Sequence, residues 1–147
     1  MLRGGSTRRP GTGVPALAGR VVPQAASSQN FEPRMSTLSL RLDLAPGIRV
    51  GPGKIRLLEA IAAHGSISAA GRALGMSYRR AWMLADELNR AFAEPVVAGQ
   101  VGGRSGGGAR LTPLGERLIA SYRAIERDAA AAAARHLAGL EQALAPR

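Results

Sequence analysis

The sequence predicts a mainly α-helical domain carrying small β elements, and three observations lead there. Apolar residues recur at helical spacing in three blocks between Pro52 and Phe92, and again over a longer run from Pro113 to about Leu144. A strict alternation, Leu-Ser-Leu-Arg-Leu-Asp-Leu from Leu38 to Leu44, precedes the first block. Two short β-prone runs, Val96 to Val101 and Ala109 to Leu111, flank a stretch that is almost all glycine. The chain of 147 residues has room for one ordinary core, and with two Phe, two Tyr and one Trp that core must be small and built largely from aliphatic residues.

The alternation places Leu38, Leu40, Leu42 and Leu44 on one face, as in a half-buried edge strand, ended by Pro46 and Gly47. Pro52 suits the first turn of a helix reaching Ala63, with Ile55, Leu58 and Ile61 on its inner side and His64-Gly65 closing it. Ser66 offers an N-cap to a short helix, Ile67 to Leu74, which Gly75 terminates. Ser77 caps the next, Tyr78 to about Phe92, whose apolar stripe reads Ala81, Trp82, Ala85, Leu88 and Phe92 before Glu94 and Pro95 stop it. Thr112 caps the last helix, where Leu114, Leu118, Tyr122, Ile125 and Ala129 continue through Ala133, Leu137, Leu140 and Leu144.

Two helices joined by a tight turn, the second opening on basic residues and followed by a hairpin, form the pattern of a winged helix-turn-helix. The same tight turn also occurs in small helical bundles, where Arg79 and Arg80 would simply be solvated. The glycine-rich tip decides between them. A nucleotide-cradling loop would run from strand through glycines into a helix with Lys and Ser or Thr in fixed places, and no such motif exists here. Gly-Gly-Arg-Ser-Gly-Gly-Gly-Ala-Arg instead sets Arg104 and Arg110 on a hairpin, where a wing reaches backbone or minor groove.

Formal charge is +10, from 19 Arg and one Lys against ten acidic residues, which suits a polyanionic partner such as double-stranded DNA. Nucleotide composition bias towards arginine codons is the plainer source of the same excess. Residues 1–36 are rich in Gly, Pro, Ser and Arg without periodicity, as in a disordered basic tail. Arg8-Arg9 lacks the uninterrupted apolar stretch of an export signal, since Pro15, Gly19 and Arg20 break it, and translation starting at Met35 would remove the tail altogether. The absence of Cys excludes disulfides, thiolate metal sites and cysteine nucleophiles. Only His64 and His136 could serve acid–base chemistry, neither with a persuasive Ser and Asp, so no catalytic site, metal or cofactor is expected. No apolar run is long enough for a membrane span, and a cytoplasmic, nucleoid-associated protein is expected.

The runs Gly-Ser-Ile-Ser-Ala-Ala-Gly-Arg-Ala-Leu-Gly-Met-Ser-Tyr-Arg-Arg-Ala-Trp, Asp-Glu-Leu-Asn-Arg and the glycine wing through Leu-Thr-Pro-Leu-Gly resemble the N-terminal DNA-binding domain of the ModE-type molybdate-responsive regulators, itself related to the LysR-type helix-turn-helix. The resemblance covers about Leu38 to Tyr122. It implies a dimeric DNA-binding module in which Ser77, Tyr78, Arg79 and Arg80 face the major groove and Arg104 and Arg110 belong to the wing. Ser66, at the start of the motif's first helix, and Ser105, beside Arg104, complete the expected DNA-facing set. Full-length regulators of this family continue into β-barrel domains that bind molybdate, whereas this chain ends at Arg147, so oxyanion binding in the family manner is not expected.

The expected organisation is a basic tail over 1–36, a winged helix-turn-helix over 37–112 and a long C-terminal helix over 113–147 forming a two-fold dimer. Packing of that helix back onto its own domain is the alternative. The expected function is sequence-specific transcriptional regulation on a pseudopalindromic operator, and the rival is a protein-interaction module on the same scaffold.

Overall fold

Pro46 and Gly47 do more than end a strand. In the computed structural model, which describes residues 36–101 and 107–146, Gly47 adopts φ 79° and the chain turns back on itself. Strand β1 (Leu42–Ala45) thereby pairs antiparallel with β2 (Ile48–Val50), Leu42 opposite Val50 and Asp43 opposite Arg49. The single strand expected over Leu38–Leu44 is thus a later and shorter one within a hairpin. Its return arm has three residues, too few to show an alternation. Leu38, Leu40 and Leu42 are half-buried as the pattern requires, but Leu44 is 53% exposed, where the register shifts beside the turn.

Helix α1 (Pro52–His64) starts without a side-chain cap and relies on Pro52 at its first turn. Ile55, Leu57, Leu58, Ala60 and Ile61 are buried, a face broad enough to contact α2 (Ile67–Ala73), α3 (Tyr78–Ala91) and α4 (Pro113–Gln142). Gly65, at φ 74°, ends α1 and donates to the Ile61 carbonyl at 2.8 Å. The Ser66 hydroxyl then accepts from Ala69 N at 3.0 Å and starts α2. Gly75, at φ 67°, turns the chain towards Ser77, whose hydroxyl accepts from Arg80 N at 3.2 Å and starts α3.

The crossing of α2 and α3 needs Gly71. A Cβ there would lie 3.3 Å from both the Ala81 Cβ and the Met76 carbonyl, closer than most side-chain contacts allow. Of the apolar stripe read for α3, Ala81, Ala85 and Leu88 are buried. Phe92 is half-buried at the extended residue that follows the helix, and Trp82 lies outside the core at 46% exposure. At 100° per residue Trp82 falls beside the line joining Ala81, Ala85 and Leu88, and faces the wing instead.

Strands β3 (Val97–Gln100) and β4 (Gly108–Leu111) form the second antiparallel hairpin, with Val97 opposite Leu111 and Gln100 opposite Gly108. The four described helices and two hairpins together make a winged helix-turn-helix with an N-terminal hairpin and a long C-terminal helix. Thr112 joins wing to helix: its amide donates to the Val96 carbonyl at 3.0 Å, its hydroxyl donates to the Pro95 carbonyl at 2.7 Å, and that oxygen accepts from Gly115 N to cap α4.

Helix α4 spans 30 residues, about 45 Å at the α-helical rise. Its first turns pack Leu114, Leu118, Ile119 and the fully buried Tyr122 against the core. Tyr122 donates its hydroxyl to the Leu40 carbonyl at 2.7 Å, and burial raises its pKa above the usual phenol value. Arg123 forks onto both oxygens of Glu59 at 2.8 Å and also holds Glu126; the hydrogen bond from Arg123 keeps the Glu59 carboxyl below its ordinary range. Past this pair α4 leaves the core. Ala129, Ala133 and Leu137 are half-buried, while Leu140 and Leu144 are 67% and 58% exposed.

Gly115 is the tightest junction. A Cβ there would collide with the Val96 carbonyl, which already accepts from Thr112. Gly115→Ala therefore should destabilise the domain by about 1–3 kcal/mol through this overlap, despite the better helix propensity of alanine. A lower urea midpoint at unchanged m-value is the expected readout, and an equal or higher midpoint would show that the Val96 backbone yields freely.

Candidate nucleic-acid interface

The N-terminus of α3 is presented outward by a turn of few residues and an internal cap. Because Ser77 satisfies the Arg80 amide, the first helical turn is fixed and its side chains project in set directions. Tyr78, Arg79 and Arg80 are all exposed there, Tyr78 by 59%, and the turn contains no acidic residue. Neither arginine has an ion-pair partner among the described residues. The acidic side chains farther along the helix are engaged: Asp86 pairs with Arg90 at 2.8 Å and Glu87 with Lys54 at 3.0 Å. The outer face of α3 thus opens on uncompensated positive charge.

Three attachments hold α3 in place. Lys54 bridges from α1, bonding both Glu87 and the Arg49 carbonyl at 2.8 Å, which links the N-terminal hairpin to the helix. Gly71 and Ala81 set the spacing to α2. Asn89 fastens the wing: its Oδ1 accepts from Val96 N at 2.8 Å and Val97 N at 2.9 Å, and its Nδ2 donates to the Val97 carbonyl at 2.9 Å. The far side of the wing is tied too, since Ala109 N donates to the Gly65 carbonyl at 2.8 Å.

The expected site residues fall into separate places. Ser77, Tyr78, Arg79 and Arg80 share the start of α3. Ser66 sits at the base of the wing, half-buried, its hydroxyl used as the cap of α2 and its neighbour Gly65 holding β4. Arg110 is exposed on β4 opposite Ala98. Arg104 and Ser105 lie outside the described residues, as does the tail over residues 1–35.

Two residues that sequence reasoning missed belong to this region. Asn89 is a weak helix former on the inner side of α3, seven and eight residues before the two valines it holds, and only that misfit of type and position hints at a role. Trp82 was grouped with the core but lines a cleft of about 400 Å³ between α3 and the wing, together with Tyr78, Ile67 and Ala109. His64 ends α1 exposed, and His136 accepts only from its neighbour Arg135. No group of three or more potential metal ligands gathers among the described residues.

Residues 53–116 match the family model described as the bacterial regulatory helix-turn-helix protein, lysR family. The chain is 47% identical over 97 residues to the molybdenum-pterin-binding protein MopA of Rhodobacter capsulatus, which is 66% of this chain and 36% of that protein. It is 42% identical over 100 residues to the molybdenum transport protein ModE of Azotobacter vinelandii, covering 68% and 35% of the two chains. Against the DNA-binding transcriptional dual regulator ModE of Escherichia coli K12 the identity is 41% over 83 residues, 56% and 32% of the two. The matched part of this chain spans about a third of the length of these relatives.

Asn89→Ala should free the wing from α3, leaving two amides and a carbonyl without their side-chain partner at a cost of about 1–3 kcal/mol. Native-state hydrogen exchange should speed at Val96 and Val97 more than in α1. Uniform acceleration throughout the domain would mean that Asn89 stabilises the whole fold and not the wing in particular.

Proposed function

We propose that the protein, whose winged helix-turn-helix is similar to that of the ModE regulators, is a sequence-specific DNA-binding transcriptional regulator acting as a homodimer. The observation that carries the reading is the pair of exposed guanidinium groups of Arg79 and Arg80 at the capped start of α3, without an ion-pair partner among the described residues. Arginine in the major groove can donate two hydrogen bonds to the O6 and N7 of guanine, which makes these two the candidates for base reading. Ser77 and Tyr78 lie nearer phosphates or thymine methyl groups. Arg110, with Arg104 and Ser105, supplies the wing contact to the backbone or minor groove.

The homodimer is supported by the distal part of α4. Ile125 and Leu140 of α4, with Leu144 two residues past its end, are exposed apolar residues on a segment that outruns its own core, and a second copy related by two-fold symmetry would cover them. Two α3 helices would then enter successive major grooves about 34 Å apart, on a pseudopalindromic site. A link to molybdenum metabolism comes from the names of the relatives. No described helix is long and apolar enough to cross a membrane, and a regulator of genes acts in the cytoplasm.

Selection of duplexes from a random pool at about 150 mM salt should enrich a palindrome, since specificity has meaning only at stated salt. Each of Arg79→Ala and Arg80→Ala should weaken binding to the selected site by about 1–3 kcal/mol and relax the preference at one base position. Equal weakening on every sequence would make the residue a phosphate clamp, and no enrichment at all would favour a protein-interaction module. Sedimentation of the full chain should show a dimer that the double variant Leu140→Glu, Leu144→Glu converts to monomer with its helical circular dichroism retained. A wild-type monomer at micromolar concentration would remove α4 as the interface.

A further inference from the structure

We propose that the cleft between α3 and the wing seats the sugar-phosphate backbone of one DNA strand, with Trp82 as its contact residue. This deepens the DNA-binding reading and rests on it. Trp82 is the sole tryptophan of the chain, and an inward-facing position would have been the simplest use for it in a core so short of aromatics. It is 46% exposed instead, and Tyr78, one helical turn earlier, is 59% exposed on the same cleft.

The chemistry of the lining fits a strand backbone. Ala85, Val97 and Ala109 make the floor apolar and small, and the flat aromatic faces suit the carbon face of deoxyribose. The indole N–H is a donor only, matching phosphate oxygens, which only accept, and it has no hydrogen-bond partner among the described residues. Asp86 is the one acidic residue of the lining, and Arg90 holds it at 2.8 Å. With Asp86 held by Arg90 the lining presents no unpaired acid to an anionic occupant, while Arg79 and Arg80 line a separate groove on another face of α3. A helix in the major groove and a wing on the neighbouring backbone leave one strand to pass between them.

The wing side of the cleft is kept bare. Gly99 and Gly108 both line it, but for different reasons. A Cβ on Gly108 would press within 3.1 Å of the Gly65 carbonyl, so packing requires that glycine. A Cβ on Gly99 would meet nothing within 4 Å, and its backbone is ordinary strand, so neither packing nor conformation requires it. What its missing side chain preserves is the open cleft. The two walls are already fixed by Asn89 and by the bond from Ala109 to Gly65, so the seat exists before DNA arrives.

The lone tryptophan supplies its own probe. A fluorescently labelled duplex from the selection is titrated with the full-length protein at about 150 mM salt, following duplex anisotropy, Trp82 emission and acrylamide quenching in parallel. Trp82 should change emission and lose acrylamide access at the midpoint shown by anisotropy. Trp82→Ala and Gly99→Leu should each weaken binding roughly 5- to 30-fold, to the operator and to random duplex alike, with unaltered thermal melting. Trp82→Phe should lie between, retaining the ring but not the donor. Rising anisotropy with unchanged Trp82 emission and quenching, or full affinity in both Trp82→Ala and Gly99→Leu, overturns the seat while leaving DNA binding intact. Weakening confined to the operator would overturn it in favour of a base contact. Flat anisotropy would take down both readings, and is told apart from the other failures by the duplex signal itself.

Discussion

Asn89 sits half-buried near the end of α3, and its carboxamide spends its acceptor on the amides of Val96 and Val97 and one donor on the carbonyl of Val97, where β3 begins. A two-stranded hairpin is marginal by itself in water, so its direction relative to the helix must come from such attachments. Asn89 fixes one strand and the Gly65 carbonyl fixes the other through Ala109. Because Gly65 also ends α1 and Ser66 starts α2, the same few residues set the helix-turn-helix and the wing. The relative placement of Tyr78, Trp82 and Arg110 follows from these bonds.

The core beneath this arrangement is narrow. Its fully buried large side chains are Tyr122, Leu88 and aliphatics of α1 and the two hairpins, and alanines fill much of the rest. A core with so little volume gains contact only if backbones come close, which explains why glycine stands at Gly71 and Gly115 in the middle of packed surfaces. Each removes a side chain so that a neighbouring carbonyl or methyl can approach. The Arg123 fork onto Glu59 closes the outer margin of the α1–α4 contact with charged groups, where apolar area has run out. Both partners remain partly exposed, so the pair adds direction more than stability.

Much of the helical frame was legible because its signals are local. Ser66, Ser77 and Thr112 act as caps through hydrogen bonds three residues long, and Gly65 and Gly75 adopt the left-handed conformation at helix ends, so each boundary is written within a few positions. The N-terminal hairpin was only half legible: Pro46-Gly47 marks a reversal, but a return strand of three residues carries no period. Trp82 was misplaced because a stripe read at helical spacing is about as wide as the angle that separates it from Ala81 and Ala85. Asn89 escaped because its partners are tertiary and backbone atoms, to which sequence patterning is blind. The exposure of Arg79 and Arg80 follows the reading, and what they touch depends on a partner no single chain contains.

Charge is distributed with the same economy as volume. Acidic residues on α3 are paired, Glu87 to Lys54 of α1 and Asp86 to Arg90 one turn on, while the first turn has none. The helix dipole adds partial positive charge at that same end. Among the described residues, an anion approaching the start of α3 therefore meets positive charge with no acidic side chain in that turn. Long-range attraction acts on a polyanion without regard to sequence, whereas discrimination requires side chains projected in set directions, which the capped first turn provides. Set directions require α3 to be held still, which is the service that Lys54, Gly71 and Asn89 perform from three different elements.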